Sequence, residues 1–188
     1  MGAFSFIFLK FITDFCFSNK KNPHPASSPN MAHPMQLRVL AVGDTLTDKS
    51  ATLQYMDEGR ADMGIPCTIG VDFKRFTVPL PGSKVPTRVI WWDTAGQERF
   101  RNTSMYSHFK GAQCVVAFYS VSSAKTLDGA IDLVHQLYQT WSTSPSREGK
   151  APIILVGACA HLECERAVTT QEGVAAARKL QHEAQEYV

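Results

Sequence analysis

Short apolar runs alternate along this chain with longer stretches whose apolar residues recur at helical spacing. Residues 37–42 (LRVLAV) are closed by Gly43 and read as a buried strand, followed by a helical pattern through Leu53 and Met56. Residues 71–79 and 85–92 alternate or run apolar and read as paired strands, with 79–86 (PLPGSKVP) as the turn. In the second of them Arg88-Val89-Ile90-Trp91 is the buried part, and the polar residues beyond mark the strand's end. Residues 114–119 (CVVAFY) run apolar without a break, the pattern of a strand covered on both faces. Residues 124–141 set Leu127, Ile131, Val134, Leu137, Tyr138 and Trp141 along one helix face. A polar loop then leads to a strand at 151–157 (APIILVG), and residues 170–187 form a final helix with Thr169 or Thr170 as N-cap. This order predicts an α/β fold, a mainly parallel sheet with helices on both faces.

Residues 1–34 stand apart from that pattern. Residues 3–12 are Phe-rich and apolar except for Ser5 and Lys10, and residues 19–34 are a polar linker with four prolines. Phe4, Ile7, Phe8, Phe11, Ile12 and Phe15 fall at i, i+3, i+4 spacing, so an amphipathic helix is one reading. A signal peptide fits poorly, because no basic region precedes the apolar one and Lys10 interrupts it. Met1-Gly2 invites myristoylation, but Phe6 occupies the Ser/Thr position of that motif. The plain alternative is that translation starts at Met31 or Met35. Residues 35–188 make up the one domain that the length allows.

A formal charge of +2 without runs of either sign gives no footprint for nucleic acid or an acidic membrane surface. Five scattered cysteines suit free thiols in a reducing compartment better than a disulfide framework. No apolar run approaches the roughly 18 residues that a membrane span requires.

Two stretches carry chemistry. Gly43 to Ser50 (GDTLTDKS) lies between a strand and a helix, the context of a phosphate-binding loop. There Lys49 would bridge phosphate oxygens, Ser50 would ligate Mg²⁺, and the helix N-terminus would add its amides. The second stretch is residues 92–100, WDTAGQERF. Asp93 is placed to reach Mg²⁺, Gly96 lets the backbone approach a terminal phosphate, and Gln97 is placed to orient a water for attack on it. This stretch resembles switch II of the Ras superfamily, and its Rab branch in particular. Thr68-Ile69-Gly70-Val71-Asp72-Phe73, 18 residues after Ser50, is similar to Rab switch I.

The resemblance covers residues 37–187 and implies the three-layer P-loop fold of small GTPases. It implies GTP/GDP and Mg²⁺ as ligands, with Thr68 closing over the γ-phosphate and the ion. It implies an effector surface of Ile69, Gly70, Val71, Asp72, Phe73, Trp92 and Phe109. Expected partners are effectors, an exchange factor and a GTPase-activating protein, in vesicle traffic at the cytoplasmic side of endomembranes. The strand and helix that end the family's fold have no counterpart before Val188, and no C-terminal cysteine is present for prenylation. On that reading the domain is C-terminally truncated, part of one sheet face is bare, and membrane contact comes through a partner or the N-terminal segment.

The chain departs from the family pattern at two places. The second glycine of G-x-x-x-x-G-K-[ST] is Asp48, whose Cβ crowds a tight loop and whose charge repels a polyphosphate. In an empty site Lys49 has Asp48 as a pairing partner. The N-K-x-D slot that reads guanine is Ala158-Cys159-Ala160-His161. Each charge-assisted hydrogen bond forfeited there is worth about 1.5–3 kcal/mol, so the set amounts to about three orders of magnitude in affinity. Cys159, His161 and Cys164, with His182, also suggest a metal site. Two functions remain open: a GTP-dependent switch with weakened guanine recognition, and a pseudo-GTPase that shows a Rab-type surface without a nucleotide cycle.

Overall fold

The computed structural model describes residues 36–60, 68–69, 71–78, 86–94, 111–142 and 151–186. Among the described residues five strands and three helices follow in the order β1 (Gln36–Gly43), α1 (Lys49–Glu58), β2 (Val71–Val78), β3 (Thr87–Thr94), β4 (Cys114–Ser120), α2 (Ala124–Ser142), β5 (Ile153–Ala158) and α3 (Thr170–Glu186). A 3₁₀ turn, Glu163–Glu165, precedes α3. The strands form one sheet in the order β2-β3-β1-β4-β5. β2 runs antiparallel to β3, and every other pair is parallel. The predicted α/β architecture is therefore observed.

Alternating side chains split the sheet's apolar residues between two cores. Leu40, Val42, Val115, Ala117 and Tyr119 meet α2 and α3 on one face. Leu37, Val39, Ala41, Val89, Trp91, Cys114, Val116 and Phe118 share the other face with Leu53 and Met56 of α1. Strands buried on both sides read as unbroken apolar runs, which is why β1 and β4 were legible. Helix ends follow local chemistry. α1 stops at Gly59, whose φ of 74° lets its N–H reach Tyr55 O at 2.9 Å. Thr169, not Thr170, caps α3: its hydroxyl accepts from Glu172 N at 3.2 Å, and Glu172 Oε2 accepts from Thr169 N at 2.7 Å.

One expectation needs correction. β3 does not end at Trp91 or Trp92 but continues through Asp93 and Thr94, because β2 pairs with it up to Val71 opposite Thr94. The Thr94 hydroxyl is satisfied by Ala41 O at 2.8 Å, so a polar residue fits in the buried strand. On the α1 side of the sheet Val116 and Phe118 of β4 are fully buried, whereas Ile154 and Val156 of β5 are only partly so.

Parallel β1, β3, β4 and β5 gather their carboxyl ends at one rim. β3 and β4 flank β1 on opposite sides, so the connections leaving this rim diverge around it. A crevice opens at such a switch point, and Gly43 lies there. Its φ is 148°, and a Cβ would lie 2.3 Å from Phe118 O of the adjoining strand, so only glycine fits.

Candidate functional site

The loop from Gly43 to Asp48 folds around the Lys49 ammonium. Buried Nζ donates to Gly43 O at 2.9 Å and Asp44 O at 2.7 Å, with Thr47 Oγ1 at 3.4 Å. The Thr47 hydroxyl in turn donates to Asp44 O at 2.8 Å. Sequence reasoning missed Thr47, although its hydroxyl is buried and ties loop to lysine; a Thr inside a charged loop was the available signal. Leu46 and Asp48 adopt left-handed conformations, φ 60° and 53°, which bend the loop into the first turn of α1. The first helical bond there is Thr52 N to Asp48 O, 2.8 Å. The amides of residues 49–51 thus precede the helix ladder and face the loop, an arrangement suited to an anion.

Beside Lys49, three elements converge on one carboxylate. Asp93 Oδ2 accepts from Ser50 Oγ at 2.5 Å and from Thr68 Oγ1 at 3.0 Å, and the two hydroxyls are 2.9 Å apart. Asp93 is buried, and its other oxygen, Oδ1, has no hydrogen-bond partner among the described residues. Burial pushes the Asp93 carboxyl above its ordinary value, against the opposing pull of the Ser50 and Thr68 hydroxyls and the Lys49 charge.

On the other side of the loop, the Cys159 thiol donates to Asp48 Oδ2 at 3.2 Å and lies 3.6 Å from Leu46 O. Cys159 is itself left-handed, φ 58°, just past the end of β5. Burial raises its pKa, the Asp48 charge adds to this, and the thiol stays a donor. Asp48 therefore gives its carboxylate to a thiol, while Lys49 gives its ammonium to loop carbonyls. This replaces the Lys49–Asp48 pairing expected of an empty site. Ala158 ends β5 packed in the sheet, and His161 is exposed in the following turn. Cys164 is exposed too, and no group of metal-ligating His, Cys, Asp or Glu forms among the described residues. The expected Cys159–His161–Cys164 site does not assemble.

The proposed effector residues divide by exposure. Ile69 is 86% exposed and Phe73 53%, with the Arg75 guanidinium 4.8 Å above the Phe73 ring. Asp72 is exposed and accepts from Phe73 N. Val71 is half-buried, and Trp92 packs against the core under α2, so Trp92 offers only part of its surface. Gly70, Gly96, Gln97 and Phe109 lie outside the described residues. A separate cavity of about 280 Å³ lies between β5 and α3, lined by Tyr119, Leu155 and Gly173, and shares no residue with the loop site.

Residues 38–187 match the model of the Ras family. The chain belongs to the Ras family. It is 32% identical over 155 residues to the Ras-related protein RABC2a of Arabidopsis thaliana, covering 82% of this chain and 70% of that protein. It is 34% identical over 149 residues to the Ras-related protein SEC4 of Candida albicans, covering 79% and 67%. The GTP-binding protein ypt2 of Schizosaccharomyces pombe is 31% identical over 146 residues, covering 77% and 68%. These relatives put this Ras-family chain in the Rab branch.

Ras-family GTPases bind guanine nucleotides with Mg²⁺, and the residues present here fit the ion. A buried carboxylate with an orphaned oxygen, flanked by two hydroxyls, is an all-oxygen donor set of the kind a small hard cation takes. Such an ion would give the unpartnered Oδ1 of buried Asp93 a partner.

Proposed function

We propose that this chain is a Rab-type GTP-dependent switch of vesicle traffic, with its phosphate and magnesium half intact and its guanine recognition weakened. The observation that carries this is the convergence of Ser50, Thr68 and Asp93 beside the buried Lys49. Lys49, already oriented by two loop carbonyls, holds the β- and γ-phosphate oxygens. The amides at the start of α1 take the remaining phosphate charge. Ser50, Thr68 and Asp93 would hold Mg²⁺, which supplies charge neutralisation at the phosphates. By the resemblance of residues 92–100 to switch II, Gly96 would donate its amide to the terminal phosphate and Gln97 would orient the attacking water. Thr68 leads directly into exposed Ile69 and, three residues on, β2, so order at the phosphate is passed to the surface that effectors meet. An exchange factor resets the switch, and a GTPase-activating protein supplies an arginine. The chain acts in the cytoplasm, at endomembranes through its partners.

Ala158, Cys159 and His161 do not reproduce the amide, ammonium and carboxylate that read guanine, so affinity and base selectivity both fall. One observation favours a second reading. The Asp48–Cys159 contact sets a carboxylate beside the phosphate loop, which suits a pseudo-GTPase that presents Ile69 and Phe73 to partners constitutively. Titration of the purified full chain with labelled GDP, GTP and ATP in Mg²⁺ separates the two. The switch predicts GDP and GTP binding weaker than the submicromolar range with reduced preference over ATP, together with slow hydrolysis. A folded chain that binds none of the three is a pseudo-GTPase.

A further inference from the structure

Three arginines far apart in sequence meet on one face of the sheet. The chain carries 19 basic and 17 acidic side chains without a run of either sign, so no basic patch is legible along it. Strand register makes one. Arg38 of β1 is level with Ile90 of β3, and Ile90 is paired with Arg75 of β2. In the next row of the same face, Arg88 of β3 lies between Gln36 and Thr77. With strands spaced about 4.8 Å apart, the backbones of Arg38 and Arg75 stand roughly 10 Å apart across Ile90, and Arg88 is diagonal to both. The face is the one opposite α1, since Leu40 and Trp92, next along the same strands, join the core under α2.

All three arginines are exposed, and no position in these two rows is acidic. Among the described residues no Asp or Glu forms an ion pair with Arg38, Arg75 or Arg88. Within the domain such a cluster only repels itself, so what it complements is an external anion. Two of the three are already held. The Arg75 guanidinium lies 4.8 Å above the Phe73 ring. That of Arg38 passes so close to Gly111 that a Cβ there would sit 2.5 Å from Nη1. Order set before binding lowers the entropy that a partner must overcome. Around them Phe73, Ile90 and Trp92 keep part of their apolar surface in solvent.

We propose that this face binds an acidic segment of a protein partner. The segment sets an apolar side chain on Ile90 and Phe73 and carries carboxylates about 10 Å apart that meet Arg38 and Arg75, with Arg88 taking a third. Guanidinium forks bind carboxylates bidentately, which fixes register as well as charge. Aromatic residues and arginine together are the composition of a protein interface, whereas attraction to an acidic membrane takes clusters of about four to eight basic residues. The proposal rests on the reading of Phe73 as a partner-facing residue. It adds the partner's charge, read by side chains that the strands themselves hold in place.

A phage-displayed library of random peptides, panned on the purified full chain, supplies the probe, and selected peptides are synthesised for affinity measurement. They should carry two or more Asp or Glu around an aromatic or aliphatic residue. Their Kd should rise at least tenfold in Arg38→Gln/Arg75→Gln/Arg88→Gln, whose fold is checked by circular dichroism. Peptides with Lys in place of each carboxylate should bind Arg38→Glu/Arg75→Glu/Arg88→Glu and not the unaltered chain. Selection without acidic residues, no selection at all, or undiminished binding to the glutamine variant would overturn the proposal. Phe73→Ala separates this from the reading beneath it. If that variant loses binding while the glutamine variant binds normally, Phe73 faces partners and the arginines do not; if both bind normally, both readings fail. Phosphatidylserine-containing vesicles that bind the unaltered chain but not the glutamine variant, with no acidic peptide selected, would give the face to a membrane instead.

Discussion

The Cys159 thiol, just past the end of β5, donates to the Asp48 carboxylate at the start of α1 over 3.2 Å. Asp48 stands at the N-cap of α1 yet makes no side-chain cap, because its carboxylate is turned sideways to the thiol. Cys159 thereby draws a negative charge away from the amides that a phosphate would use. The two residues form one local unit.

That unit predicts non-additive mutants. Asp48→Gly removes the charge and relieves a left-handed side-chain residue, and it should tighten GDP binding about tenfold, or about 1.4 kcal/mol. Cys159→Ala alone should weaken binding, because the carboxylate loses its donor and can swing towards the loop. In the double variant the Cys159 effect should vanish. Titration of the four proteins gives the coupling, and simple additivity would sink the idea.

Gly43 tests the loop's seat against the sheet. A Cβ there meets Phe118 O at 2.3 Å, with backbone on both sides and no flexible atom to yield. Gly43→Ala should destabilise the domain by about 2–3 kcal/mol in urea unfolding. A loss below about 0.5 kcal/mol would mean that the loop is not held in this conformation.

Asp93 sets an unusual sign of pH dependence. Its folded pKa is raised above the ordinary 3.8 by burial. Its contribution to stability is therefore fully present below that value and fades as pH rises through the folded pKa. Without nucleotide or Mg²⁺, Asp93→Asn should flatten this part of the stability–pH curve and leave the protein at least as stable at neutrality. The same change should abolish Mg²⁺-dependent nucleotide binding. A clear loss of neutral-pH stability in the variant would contradict the argument.

Ile69 and Phe73 offer the cleanest separation of function from fold. Both are exposed, so Ile69→Ala and Phe73→Ala should change unfolding free energy by less than about 0.5 kcal/mol. Binding to a Rab-type effector should fall at least tenfold for each, measured by calorimetry. Intact binding would move the effector surface elsewhere.

Metal ligation by Cys159, His161 and Cys164 shows where spacing misled. The three lie close in sequence, but Cys159 turns inward to Asp48 while His161 and Cys164 face solvent. Spacing fixes separation along the chain and not the direction in which an irregular turn points its side chains. The same limit hid the extension of β3, since partner pairing, rather than the polarity of Asp93 and Thr94, decides where a strand ends.

The sequence by itself determined the alternation of strands and helices, most boundaries to within a residue or two, and the pairing of Lys49 and Ser50 with the start of a helix. Those are local matters of periodicity, capping and chain order. Only the tertiary structure decided that Ser50 and Thr68 meet Asp93 across 43 and 25 residues, and that Asp48 meets Cys159 across 111. Parallel strands bring their carboxyl ends to one rim whatever their distance in sequence, and the loops leaving that rim set which side chains face each other.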